Sequence, residues 1–241
     1  MTPRVLVLGG TAEARALASR LVDGGYAVTT SLAGRTRHPR LPSGEVRTGG
    51  FGGIEGLAAA LDDVDVLVDA THPFAAAMTE HAAAAAARTA TPLVVLRRPG
   101  WTAGAGDRWT RVPSLEAAAA AIPAGARVLL ATGRQGVGAF LGVDAWFLVR
   151  AIEAPDALPP RAEVVLARGP FALDDERALL DRRRIDVVVA KDSGGATEAK
   201  LVAARERRLP VLLVDRPPLP PGVEAVESVG EVLVRLDQLA P

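Results

Sequence analysis

Four apolar residues in a row, Val5-Leu6-Val7-Leu8, run straight into Gly9-Gly10-Thr11 and then into an alanine-rich segment, Ala14 to Leu21. An unbroken run of β-branched and leucine side chains leaves no polar face for solvent, so it predicts a parallel strand covered on both sides. The segment after it reads as a helix, which makes the chain an α/β protein. Glycines at such a junction let the backbone approach an anion, and the free N–H groups and positive dipole end of the helix favour one there. Thr11 adds a hydroxyl donor. Gly9 and Gly10 are adjacent and no third glycine comes after them, so the dinucleotide pattern G-x-G-x-x-G is not met.

The pattern returns later in the chain. Val128 to Gly133 echoes Val5 to Gly10, Val187 to Gly195 echoes Val66 to Phe74, and Pro210 to Pro217 echoes Pro92 to Pro99, at offsets of 123, 121 and 118 residues. A nearly constant offset predicts two similar halves rather than one long sheet. The expected organisation is therefore two Rossmann-like parallel-sheet domains, 1–122 and 123–241, with the boundary near Pro123 and strand ends turned toward a shared cleft.

The second strand, Tyr26 to Ala33, ends at Ser31-Leu32-Ala33-Gly34-Arg35. NAD-binding sheets carry an acidic residue near this point for the ribose 2′-hydroxyl. A serine and an arginine without a carboxylate suit a 2′-phosphate instead, which predicts NADP. Residues 36–53 form a long loop rich in glycine and proline, carrying Arg37, with one short strand at Glu45 to Thr48. The strand Val64 to Val68 leads into Asp69-Ala70-Thr71-His72-Pro73-Phe74, where open α/β sheets place ligands. Pro73 suits the first position of a helix reaching Arg88, which would make Thr71 or His72 its cap. In the second half, Thr132-Gly133-Arg134-Gln135 is a second candidate anion loop at a helix start. Lys191 and Lys200 are the only lysines. Lys191 stands beside Ser193 at a strand end, to bind a cofactor or substrate anion or else to pair with Asp192 or a neighbouring carboxylate, while Lys200 falls on a predicted helix face.

Charge and composition exclude several functions. Lys+Arg and Asp+Glu number 28 each, so no general field draws nucleic acid or an anionic membrane. Without cysteine there is no disulfide, no thiolate catalysis and no Cys-ligated zinc. The three histidines lack metal-ligand spacing, so no metal is expected. No leader segment and no membrane-length apolar run are read in the sequence, and a cytoplasmic location is expected.

Together, Gly9-Gly10-Thr11-x-Glu13-Ala14-Arg15, Ser31-x-Ala33-Gly34-Arg35, Asp69 to Ala75, Thr132-Gly133-Arg134 and Lys191-x-Ser193-Gly194 closely resemble the precorrin-6A reductases of cobalamin biosynthesis. The resemblance runs from Val5 to about Val214. It implies NADPH-dependent reduction of one ring double bond of the macrocycle precorrin-6A, giving precorrin-6B. It also implies roles: Gly9, Gly10, Thr11 and Glu13 line the phosphate turn, while Ser31 and Arg35 take the 2′-phosphate. Asp69, Thr71 and His72 lie near nicotinamide and substrate, with Thr132, Arg134, Lys191 and Ser193 opposite them. A polycarboxylate tetrapyrrole gives arginines a use as carboxylate forks, the candidates being Arg37, Arg97, Arg98, Arg134 and Arg150. Cofactor chemistry leaves the protein to position a carbon and to supply or admit one proton, from His72, Lys191 or water. Three other readings stay open: an NADPH reductase of another carboxylated imine or enone, such as the dihydrodipicolinate reductases, a non-catalytic NADP sensor, and a phosphate- or nucleotide-binding regulator with no preference for the 2′-phosphate.

Overall fold

The structure is a computed structural model and describes residues 2–34 and 40–239. In chain order, β1 (Arg4–Leu8) leads to α1 (Ala12–Asp23), β2 (Ala27–Leu32), β3 (Glu45–Thr48), α2 (Ile54–Ala59), β4 (Val66–Asp69), α3 (Ala76–Thr89) and β5 (Leu93–Leu96). Next come β6 (Trp109–Val112), α4 (Leu115–Ala120), β7 (Arg127–Ala131), a 3₁₀ helix (Arg134–Phe140), β8 (Trp146–Ala151) and β9 (Ala162–Leu166). The chain continues through α5 (Leu173–Arg182), β10 (Val187–Lys191), α6 (Ala199–Glu206) and β11 (Val211–Val214), and finishes with β12 (Ala225–Val226) and α7 (Val229–Leu239).

These elements form two parallel sheets of six strands, in the orders β12-β5-β4-β1-β2-β3 and β6-β11-β10-β7-β8-β9. Counted from its far edge, each is a doubly wound sheet with the first strand of the pattern, β1 or β7, third from that edge. The expected two parallel-sheet halves are thus present, but their limits differ from 1–122 and 123–241. One compact unit comprises residues 1–99 and 217–241, and the other comprises 100–216. The reason is the edge strands. β6 comes after β5 in the chain yet pairs with β11, Trp109 opposite Val211, whereas β12 comes after β11 yet pairs with β5, Ala225 opposite Val95. An internal echo reveals the copied cores, while the pairing of a four- or two-residue edge strand is decided by tertiary contacts.

In the first unit, alternate residues of β1 enter different cores. Val5 and Val7 pack with Leu17 and Leu21 of α1 and with Val232 and Leu236 of α7, while Leu6 and Leu8 pack with Leu57 of α2 and Ala82 and Ala85 of α3. That two-sided burial is why the run has no polar alternation. The terminal helix α7 was not among the elements expected from the sequence. Its start is a capping box: Ser228 Oγ accepts from the Glu231 N–H at 3.2 Å, and the Glu231 carboxylate accepts from the Glu227 N–H at 2.9 Å. In the second unit, Leu129 and Leu148 pack beneath Leu180 of α5 and Leu201 of α6. Phe140 of the 3₁₀ helix meets Phe147 of β8 edge to face at 5.8 Å.

Candidate functional site

The first glycine turn is built by close packing. The Gly9 N–H donates to the carbonyl of Ser31 at 2.9 Å, which binds the turn to the tip of β2. A Cβ on Gly9 would stand 2.7 Å from Thr30 Cγ2, so no larger residue fits. Gly10 has φ +115° with open space where its side chain would be. Thr11 then caps α1: its hydroxyl accepts from the Ala14 N–H at 3.0 Å and donates to the carbonyl of Ala70 at 2.8 Å. One side chain therefore joins the start of α1 to the end of β4. Glu13, in the first turn of α1, forms an ion pair with Arg98 at 2.8 Å. The result is a helix amino end beside a glycine floor, which suits a pyrophosphate.

Around the tip of β2, Ser31 is buried and its hydroxyl accepts from Arg47 Nη1 at 2.8 Å. Arg35 and Arg37, expected at the 2′-phosphate and at the substrate, lie outside the described residues. Arg47 was not singled out from the sequence, because it sits twelve positions beyond Arg35 inside a loop-rich stretch. Its register could have found it: Glu45 to Thr48 reads as a strand, and Arg47 lies opposite Ser31 when that strand pairs with β2.

At the end of β4, Asp69 is buried, and its carboxylate holds the loop together. Oδ1 accepts from the N–H of Thr71 at 3.0 Å and from its hydroxyl at 2.7 Å, and Oδ2 accepts from Thr79 Oγ1 at 2.6 Å. Asp69 thus fixes Thr71 and the first turn of α3. The helix begins at Ala76, with Ala75 at the cap position and no side-chain cap, so neither Thr71 nor His72 caps it as the sequence suggested. Residues 72–75 form a turn closed by the Ala75 N–H on the carbonyl of His72 at 2.7 Å. His72 Nδ1 accepts from the Phe74 N–H at 3.2 Å, and a neutral ring so bonded carries its proton on Nε2. Asp69, Thr71, His72, Thr79, Arg97 and Pro217 line one pocket of this unit.

The second unit treats its corresponding residues differently. After β7, Gly133 has φ +76°, but the next element is a seven-residue 3₁₀ helix, not the α-helix start expected for Thr132-Gly133-Arg134-Gln135. The Thr132 hydroxyl is buried with no hydrogen-bond partner among the described residues, and a Cβ on Gly136 would lie 2.7 Å from it. Arg134 reaches Glu153 at 3.3 Å. Arg150 does not serve as an open carboxylate fork: it is buried on β8, paired with Glu176 at 2.7 Å and stacked over Phe171. Lys191 is the last residue of β10, and burial lowers the pKa of its ammonium. The carboxylate of Asp192, the alternative partner for Lys191, accepts from the Trp101 N–H at 3.0 Å and from Arg111 Nη2 at 2.9 Å. Ser193 comes next in a turn, its N–H on the carbonyl of Lys191 at 2.7 Å.

Lys200 is not on an open helix face. It is 5% exposed, donates to the carbonyl of Thr197 and lies 4.4 Å from the Trp101 ring centroid. Burial first, and then repulsion from Arg150, push its pKa down to about 7 against the pull of Glu176 and Glu198. Among the described residues there is no cluster of side chains able to hold a metal ion, and no helix long and apolar enough to cross a membrane.

Two doubly wound parallel sheets, one of them opening on a tight glycine turn and a threonine-capped helix, define the class: an α/β protein of the Rossmann-like kind. The family described as Precorrin-6x reductase CbiJ/CobK matches residues 4–237. A Precorrin-6A reductase of Rhodococcus erythropolis is 55% identical over 94% of this chain and 94% of its own length. One from Mycobacterium tuberculosis is 50% identical over the same shares of both chains. A solved structure, CobK precorrin-6A reductase, superposes with a TM-score of 0.93 at 45% identity, over 100% of this chain and 98% of that one. The chain belongs to the precorrin-6x reductase family, enzymes of cobalamin biosynthesis that use NADPH. The residues present fit that cofactor: the floor at Gly9 has room for a backbone and nothing more, the space over Gly10 is open, and Ser31 with Arg47 offers donors for a phosphate.

Proposed function

We propose that this chain reduces one ring double bond of precorrin-6A to give precorrin-6B, with the pyrophosphate of NADPH on the turn Gly9-Gly10-Thr11. The observation that carries this reading is the threonine-capped start of α1 over a glycine floor, in a chain that matches the family from end to end. When bound, NADPH supplies the hydride. The chain's own residues do the rest. The first turn of α1 directs backbone N–H groups at the pyrophosphate. Ser31, and by its place in the sequence Arg35, serve the adenosine ribose and its phosphate. Asp69 acts by holding Thr71, since three hydrogen bonds already occupy its oxygens. Thr71 and His72 line the pocket in which nicotinamide and macrocycle meet, with Arg37 a carboxylate partner on the substrate side. In the second unit, Lys191, Ser193, Arg134 and Thr132 are the proposed substrate-facing set, Thr132 through its loop rather than its inward-turned hydroxyl.

The proton is assigned to no single acid. His72 Nε2 and Lys191 are the candidate donors beside water, and proton delivery shared among several donors survives the loss of one. The reading is tested by mixing the purified protein with NADPH and precorrin-6A without oxygen. Loss of nicotinamide absorbance and a product heavier by two hydrogens are expected. Tight NADPH binding with no oxidation would point to a sensor and sink the enzyme assignment. His72→Ala is expected to keep most turnover. Complete loss, with both ligands still bound, would make His72 the acid.

A further inference from the structure

We propose that Arg47, from the end of β3, is a specificity residue for the cofactor's 2′-phosphate, presented by Phe51 and Ser31. The proposal rests on the placement of NADPH on the first glycine turn. Ser31 links the two features: its carbonyl receives the Gly9 N–H at 2.9 Å, and its hydroxyl receives Arg47 Nη1 at 2.8 Å. Arg47 and Ser31 are also direct register partners across the β2–β3 pair. A ribose extending from that turn over the tip of β2 therefore comes to the corner these two residues share.

The surroundings of the guanidinium select for an anion. It lies 3.8 Å over the Phe51 ring, and Nη2 is 3.3 Å from the carbonyl of Gly50. Arg4, Arg88, Arg98 and Arg235 of the same unit each reach a carboxylate. Arg47 reaches none among the described residues, and residues 35–39 contain no acidic side chain. The acid on its own strand, Glu45, is bonded to Thr29 at 3.2 Å, two positions back from the tip. With one N–H on Ser31 and one on Gly50, the stacked guanidinium has three of its five N–H groups left for charge-assisted bonds, which suit a phosphate dianion better than a ribose hydroxyl.

The stack is fixed before any ligand arrives. A Cβ on Gly56 would stand 1.7 Å from the carbonyl oxygen of Phe51, so α2 rests directly on the Phe51 backbone. The Gly49 N–H donates to the carbonyl of Leu32 at 2.9 Å, joining the tips of β2 and β3. The aromatic platform and the strand end that carries the arginine are each held by backbone contacts. A donor held in place loses little freedom when the phosphate binds.

The experiment is calorimetric binding of 2′,5′-ADP and 5′-AMP to the full chain, wild type and variants. Wild type is expected to prefer 2′,5′-ADP. Arg47→Gln should weaken 2′,5′-ADP by about 30-fold, the scale of a lost charge-assisted pair, and change 5′-AMP less than about twofold. Arg47→Lys should recover part of the loss, and Phe51→Leu should weaken 2′,5′-ADP alone by about fivefold. An equal loss for both nucleotides in Arg47→Gln would make the arginine structural and overturn the proposal. An unchanged 2′,5′-ADP affinity would overturn it while leaving the NADPH reading intact. Absence of any preference in wild type would remove both.

Discussion

The first turns of the two sheets begin alike and end differently. In each, a buried apolar strand, β1 or β7, reaches a glycine with positive φ and a threonine. In the first unit the threonine comes after the glycines, leaves the strand and caps a twelve-residue α-helix. In the second the threonine precedes the glycine, turns its hydroxyl into the interior, and gives way to a seven-residue 3₁₀ helix. An α-helix of three turns sums its peptide dipoles at an amino end whose N–H groups are free. A short 3₁₀ helix has poorer alignment and offers much less to an anion. A repeated sequence pattern is therefore not a repeated turn: the first copy opens on an α-helix and the second on a 3₁₀ helix.

The sharpest way to break this contrast is to fill both turns. Gly9→Val places two methyl groups where even a Cβ would stand 2.7 Å from Thr30, and it should cost ~3 kcal/mol by denaturant unfolding and remove measurable NADPH binding. Gly133→Ala meets no atom of the described residues within 4 Å and carries only backbone strain, about 1–3 kcal/mol, with NADPH affinity unchanged. Equal effects of the two on binding would erase the distinction.

Next in size is a pH effect confined to the second unit. The Lys200 pKa is about 7 in the folded chain, against a usual 10.5. Between those values the unfolded chain binds the extra proton, so stability should rise with pH from about 7 to 9, by on the order of 1 kcal/mol per pH unit. Lys200→Met should flatten that rise. A rise that persists in Lys200→Met would assign it to other groups.

The smallest test exchanges the threonines. Thr11→Ala loses a cap and the bond to Ala70 and should cost about 1 kcal/mol. Thr132→Val keeps the shape and removes an unsatisfied hydroxyl, so it should be neutral or stabilising by up to ~1 kcal/mol. Destabilisation by both to the same degree would mean that Thr132 has a role the hydrogen bonds do not reveal.

Much of this could be read in advance because it is local. The two-sided burial of Val5 to Leu8 is dictated by an apolar run, and β3 falls at Glu45 to Thr48 as expected. The features that escaped are non-local. Arg47 gains meaning only beside Ser31, and Lys200 reads as a surface residue until Trp101 and the Arg150–Glu176 pair are known to surround it. Asp192 likewise looks like a neighbour for Lys191. It bonds to Trp101, to Arg111 and, through its carbonyl, to Arg216 Nε at 2.7 Å, residues 91, 81 and 24 positions away.

The exchanged edge strands have a consequence for how the chain is made. Residues 100–216 are contiguous, so every strand of their sheet has left the ribosome once Val214 has emerged. The other sheet lacks β12 and the helix that covers it until Leu239 is synthesised. Nascent chains ordinarily complete their amino-terminal domain first. Here the strands of residues 100–216 are all made before β12, which completes the other sheet beside β5, has been synthesised.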